Sequence, residues 1–128
     1  MENMSKIAFK KLWNSFGYGF TGIKDLLRSE QNARIHLFVS CCVVLAGFLL
    51  TISPLEWCIV ALCIGLVFAA EAFNTAIEKL IDHLFETKHE TARFVKDVSA
   101  GGVLIAATST IVCGVVIFLP KILDLLLH

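Results

Sequence analysis

An excess of charge is the first thing this sequence lacks. Eleven basic side chains balance eleven acidic ones across 128 residues, so there is no basic field of the kind that holds nucleic acid. Zinc-type cysteine spacing is missing as well. Cysteines stand at 41, 42, 58, 63 and 113, all in apolar runs, with no C-x-x-C pair and no histidine at ligand spacing. They read as small packing residues rather than metal ligands or a disulfide framework. No G-x-x-x-x-G-K-[ST] loop is present, because Gly22 is followed by Ile23 and Lys24, and this removes the P-loop class. Gly17, Gly19 and Gly22 do fit G-x-G-x-x-G, yet no strand precedes them and no βαβ unit surrounds them, so the dinucleotide-fold reading fails. The first strongly apolar run begins only near Ile35, behind many charges, and a cleavable leader is not expected. Internal repeats and low-complexity tails are absent.

What the sequence has is apolar surface. Hydrophobic residues make up 57% of the chain and its mean hydropathy is +0.79. A soluble domain of this length has too little interior to hide that much, so lipid must solvate part of it. The expectation is a single all-α membrane domain over residues 1–128. In residues 5–29, Ile7, Phe9, Leu12, Trp13, Phe16, Phe20, Ile23, Leu26 and Leu27 recur at helical spacing with Lys6, Lys10, Lys11, Lys24 and Arg28 between them. That pattern predicts a basic amphipathic helix lying on the membrane surface. Three spans follow, at about 35–52, 55–84 and 95–119, each of spanning length. Ser53-Pro54 separates the first two, with Pro54 suited to the first helical position. A polar connection at 85–97 separates the last two, and Pro120 is expected to stop the third.

Basic residues set the orientation. Lys6, Lys10, Lys11, Lys24, Arg28 and Arg34 precede the first span, and Lys79, Lys88, Arg93 and Lys96 flank the 85–97 connection. The turn near Pro54 has none and only Lys121 follows the third span. The N-terminus and the 85–97 connection are therefore expected in the cytoplasm and the C-terminus outside.

The chemistry-bearing stretch is Glu71-Ala-Phe-Asn74-Thr75-Ala-Ile-Glu78-Lys-Leu-Ile-Asp82. At about 100° per residue, Asn74 lies about 60° from Glu71 around the helix, and Glu78 and Asp82 about 20°. The four share one stripe, and Glu71 to Glu78 covers roughly 10 Å of axis. A carboxylate at the apolar end of a span costs several kcal/mol unless it is partnered or protonated, and one withdrawn from water suits general-base work. Glu78, nearer water, suits a divalent cation, since magnesium asks for one or two carboxylates plus phosphate oxygens. A structural network between helices is the plainer explanation of any single buried acid. Four polar residues ending beside Lys96-Asp97 favour a site. Glu30, Asn32, Arg34 and His36, at the start of the first span, read by spacing alone as an ordinary interfacial cluster, although Glu30 could serve the same cation. Lys96 can meet phosphate as a point charge. Ser99-Ala100-Gly101-Gly102 lets another helix approach closely.

Two motifs carry a family resemblance. E-x-x-N-[ST]-A-I-E-x-x-x-D stands as Glu71 to Asp82, and K-D-x-x-[AS]-[AG]-x-V-L stands as Lys96 to Leu104. With these the chain resembles the small bacterial diacylglycerol kinase and undecaprenol kinase family of integral membrane enzymes, from about Lys11 to beyond Leu104. The resemblance implies a homotrimer with sites between subunits, in the bacterial cytoplasmic membrane. It also implies transfer of the ATP γ-phosphate to a lipid hydroxyl with magnesium. By position, Glu71 would be the general base and Asn74 would help hold the reacting groups. Glu30 and Glu78 would hold the metal. Lys11, Tyr18, Glu30, Glu78, Thr87, Lys88, His89, Lys96 and Asp97 would meet the nucleotide. Lipid would lie against Ser15, Phe16, Gly17, Gly19 and Phe20, against Asn32, Ala33, Arg34, Ile35 and His36, and against Glu71 and Ala100. Lys11 departs from the arginine of some relatives, which weakens a bidentate contact there. Asn32-Ala-Arg34-Ile-His36 looks more like the undecaprenol kinase branch than the proteobacterial diacylglycerol kinase branch. The rival readings are a small ion- or proton-conducting oligomer, whose carboxylates would line a pore, and a membrane scaffold without activity. The stripe's position at one end of its span argues against a pore.

Overall fold

The computed structural model describes residues 2–127. Met1 and His128, the ends of the expected domain, lie outside the described residues. Four helices follow one another: α1 Glu2–Ser29, α2 Gln31–Leu49, α3 Pro54–Leu84 and α4 Glu90–Leu127. The all-helical architecture expected from the sequence is present. α2, α3 and α4 are each long and apolar enough to cross a membrane, and most of their large apolar side chains face outward. At 1.5 Å per residue α3 is about 46 Å long and α4 about 57 Å, against a hydrocarbon core of about 30 Å. Both helices therefore have length to spare beyond the apolar layer, and in α3 the polar stripe occupies one end.

The α1–α2 junction is a single extended residue, Glu30 (φ −109°, ψ 122°). Four carbonyls at any helix C-terminus lack intrahelical partners. Here Arg34 Nη1 reaches back and donates to the carbonyls of Leu27 (3.2 Å) and Arg28 (3.1 Å). Leu26 and Ala33 are buried at this corner, and Lys79 Nζ of α3 lies 3.5 Å from Glu30 Oε1.

The α2–α3 turn is built differently. The Ile52 N–H donates to the Gly47 carbonyl (3.1 Å) and the Thr51 N–H to that of Phe48 (3.3 Å), the paired bonds of a Schellman ending. Thr51 sits in the left-handed region at φ 49°, where glycine is the usual occupant. α3 then starts at Pro54 with a capping box. The Glu56 N–H donates to Ser53 Oγ (3.3 Å), and the Ser53 N–H donates to Glu56 Oε2 (2.6 Å). Ile52, Val60 and Ile117 form the core beneath this turn, with Trp57 and Phe118 packed on it.

Two sequence expectations change. Residues 90–97, expected in the polar connection, are helical, and only residues 85–89 lie outside helices. Polarity marked the stretch as a connection, but polarity is not a helix breaker: Ala92 is buried and Arg93 pairs with Asp97 one turn on at 3.2 Å, as helix neighbours do. Pro120 does not end α4, which runs through it to Leu127. Proline removes one hydrogen bond and bends a helix, but in an apolar setting a full break would strand more backbone groups than the helix loses by continuing.

Candidate functional site

Glu71 is the most deeply buried charged residue among those described, at 2% exposure. The stripe on α3 turns it towards α2, where His36 Nε2 lies 3.2 Å from its Oε1. One turn further, Asn74 Nδ2 donates to Glu78 Oε1 (3.1 Å). That leaves Asn74 Oδ1 buried without a hydrogen-bond partner, and an orphaned buried acceptor costs about 1–3 kcal/mol. Thr75 is buried beside Asn74. Glu30, through its pairing with Lys79, is held on the residue next to Glu78. The stripe thus meets α2 at Glu71, and the α1–α2 corner meets α3 further along, at Lys79.

A second cluster lies at the loop end of the same stripe. Lys96 Nζ of α4 is 2.8 Å from Asp82 Oδ1, so this pair staples α3 to α4. Arg93 Nη1 donates to Asp97 Oδ2 (3.2 Å). The Thr91 N–H donates to His89 Nδ1 (3.2 Å), which leaves the proton of a neutral His89 on Nε2. These side chains surround an open cavity of about 730 Å³ that also takes in Phe85, Thr87 and Lys88.

Residues 17–118 match the family described as prokaryotic diacylglycerol kinase. The chain is 38% identical over 112 residues to an undecaprenol kinase of Bacillus subtilis, covering 88% of this chain and 91% of that one. It is 34% identical over 113 residues to a diacylglycerol kinase of Synechocystis, covering 88% of this chain and 65% of that one. A diacylglycerol kinase of Haemophilus influenzae is 30% identical over 95 residues, 74% of this chain and 80% of its own. The chain belongs to the prokaryotic diacylglycerol kinase family.

The protein is therefore an integral membrane lipid kinase, and a nucleotide is its phosphoryl donor. The readings as an ion-conducting oligomer or an inactive scaffold give way to this membership.

Within one subunit of the kinase the expected site residues fall into three sets. In the first, His36 meets Glu71 and Asn74 meets Glu78, while Glu30 meets Lys79 instead of another expected site residue. Thr87, Lys88, His89, Lys96 and Asp97 share the loop-end cavity. The α1 set does not reach either group: Lys11, Ser15, Phe16, Gly17, Tyr18, Gly19 and Phe20 are all exposed, and the Ser15 hydroxyl only donates to its own helix at the Lys11 carbonyl (2.9 Å). Asn32, Ile35 and Ala100 are exposed, and Ala33 is fully buried in the corner. Arg34 is engaged in closing α1. Sequence reasoning passed over Lys79, Phe85 and the pairing of Arg93 with Asp97. The i,i+4 spacing of Arg93 and Asp97 was the available signal. Among the described residues no group of three or more His, Cys, Asp or Glu side chains is arranged to hold a metal ion alone.

Proposed function

We propose that this kinase transfers the γ-phosphoryl group of ATP to the hydroxyl of a membrane-dissolved polyprenol, undecaprenol, giving undecaprenyl phosphate. The observation that supports the reading most is the buried Glu71 held against His36, with Asn74 and Glu78 continuing the same stripe towards water. A lipid hydroxyl and a water-borne nucleotide need such a boundary to meet. Undecaprenol is favoured over diacylglycerol by the Bacillus subtilis relative, which matches at 38% identity over 91% of its length.

In this reading the lipid oxygen attacks the γ-phosphorus, and the bond from that phosphorus to the bridging oxygen of ADP breaks. The hydroxyl proton passes to the Glu71 carboxylate. His36, beside Oε1, keeps that carboxylate turned into the bundle and leaves its other oxygen for the proton. Asn74 Oδ1, orphaned in the free protein, offers an acceptor to the incoming hydroxyl before its single proton passes to Glu71. Phosphoryl transfer depends mainly on positioning and charge neutralisation, which these fixed groups can deliver without bond-making of their own.

The donor set fits magnesium. Glu30 and Glu78 offer hard carboxylate oxygens, few in number, as magnesium bound mainly through phosphates requires. Bound there, the ion would neutralise charge on the β- and γ-phosphates. Lys96, and Lys88 on the loop, add positive charge along the nucleotide's path. The isolation of the α1 set from Glu71 within one chain supports a homotrimer, in which Lys11 and Tyr18 of one subunit complete the site of another. α1 would lie on the cytoplasmic surface of the bacterial inner membrane, with the 85–89 loop on the same side and the C-terminus outside, as the basic residues indicate.

The test is turnover of the purified protein in detergent with ATP, magnesium and either undecaprenol or diacylglycerol. Faster phosphorylation of undecaprenol is expected. Faster phosphorylation of diacylglycerol would overturn the acceptor, and no lipid phosphate from either would overturn the kinase reading.

A further inference from the structure

The family motifs give no role to Phe85 or Arg93, both of which line the loop-end cavity. Its charges cancel: Asp82, Glu90 and Asp97 face Lys88, Arg93 and Lys96. Two of the three cations are already matched, Lys96 with Asp82 at 2.8 Å and Arg93 with Asp97 at 3.2 Å. A cavity with no net charge is a poor trap for a triphosphate and a good one for the uncharged end of a nucleotide. Its surfaces suit a flat ring. The Phe85 and His89 rings lie with centroids 5.0 Å apart and planes inclined by 35°, a wedge rather than a closed stack. Arg93, in the first turn of α4 with its N–H donating to the His89 carbonyl (3.0 Å), adds a planar guanidinium that donates to Asp97.

We propose that Phe85 and Arg93 form the nucleobase end of the nucleotide site, Phe85 stacking on the base and Arg93 covering its other face or edge, with His89 Nε2–H free to donate to a ring nitrogen. The assignment rests on the kinase reading above and extends it. Spacing agrees with it. Glu78 lies in the last two turns of α3 and Phe85 directly follows its last residue, Leu84, roughly 10 Å further along the axis, a separation that an extended nucleoside triphosphate bridges between its phosphates and its base. Lys96 lies between the two ends.

The experiment titrates the full-length protein in detergent with magnesium ATP and, separately, with magnesium tripolyphosphate, which carries the charge without the base. Base–aromatic stacking makes a large enough contribution that Phe85→Ala should weaken ATP about tenfold and leave tripolyphosphate unchanged. Phe85→Tyr should keep wild-type affinity, and Arg93→Ala should weaken ATP more than tripolyphosphate. In turnover, KM for ATP should rise with Phe85→Ala while kcat and KM for the lipid hold. Unchanged ATP affinity in both alanine variants, with lipid phosphorylation intact, overturns the nucleobase assignment alone, as does equal weakening of both ligands. Absence of lipid phosphorylation by the wild-type protein overturns the kinase reading and this assignment with it.

Discussion

Two glutamates of α3, one in its first turn and one just past its midpoint, are treated in opposite ways. Glu56, in the first turn, is fully employed locally: its Oε2 accepts from the Ser53 N–H and lies 3.3 Å from Lys121 Nζ, and its own N–H is taken by Ser53 Oγ. Glu71, fifteen residues on, is more buried and has fewer partners. One histidine nitrogen stands beside it, and the neighbouring Asn74 Oδ1 has no partner at all. Where polar groups complete one another they terminate and staple helices. Where they are left open at a cost in stability, the cost has to be recovered from something that binds. Acidic residues of one helix thus separate into scaffold and site by their partners, not by their type.

The sharpest way to break this comparison is to neutralise each glutamate in turn. Glu71→Gln keeps shape and removes the base, so kcat for lipid phosphorylation should fall roughly a thousandfold, within the usual range for a lost general base, with thermal unfolding little changed. Glu56→Gln should leave kcat at its wild-type level and lower the unfolding temperature. Comparable kcat losses in the two variants would dissolve the distinction. Glu78→Gln should come next in size. Loss of a metal-holding carboxylate should raise the magnesium concentration for half-maximal rate at least about tenfold, and a magnesium dependence identical to wild type would remove Glu78 from that role.

Much of this division was readable beforehand, and the failures have physical causes. The stripe from Glu71 to Asp82 follows from helical geometry, and its meeting with Lys96 follows from two helices running back to back. The partner of Glu71 was less accessible. His36 belongs to another helix, and the turn geometry at residues 50–53, with Thr51 in the left-handed region, decides which face of α2 meets α3. The resemblance implies a lipid contact for Arg34, while its bonds to the open carbonyls of Leu27 and Arg28 depend on the α1–α2 junction, which no spacing rule reveals. Pro120 was read as a stop by a rule suited to water, where a broken helix can hydrate its freed groups. The Ser53-x-x-Glu56 box is a helix start written in the sequence, and it acts together with Pro54 at the first helical position.

The turn end supplies the smaller tests. Gly47 is packed so closely that a Cβ there would lie 2.8 Å from Trp57 Cη2 and 3.1 Å from Ile52 Cδ1. Trp57 cannot swing aside easily, since its ring lies 4.8 Å from that of Phe48. Gly47→Ala should therefore destabilise by about 1–3 kcal/mol, read as a lower unfolding temperature in detergent. The activity per folded molecule should be preserved, because Glu71 lies roughly 25 Å along α3 from Pro54. Lost activity without lost stability would mean that the turn belongs to the site after all.

Thr51 offers the opposite sign at the same turn. A β-branched residue at φ 49° brings its Cβ against its own backbone, a cost of about 1–2 kcal/mol that glycine does not incur. Replacing it also loosens the unfolded chain, which takes back about 0.4–1 kcal/mol. The difference favours the folded state, so Thr51→Gly should stabilise by about 0.5–1 kcal/mol and leave phosphorylation unchanged. The two Schellman bonds come from the Thr51 and Ile52 amides, and both survive the substitution, so within the folded turn only the strain changes. A lower unfolding temperature for Thr51→Gly would show that the threonine side chain contributes something the turn needs, and the clean separation between a structural end and a chemical end of α3 would have to be redrawn.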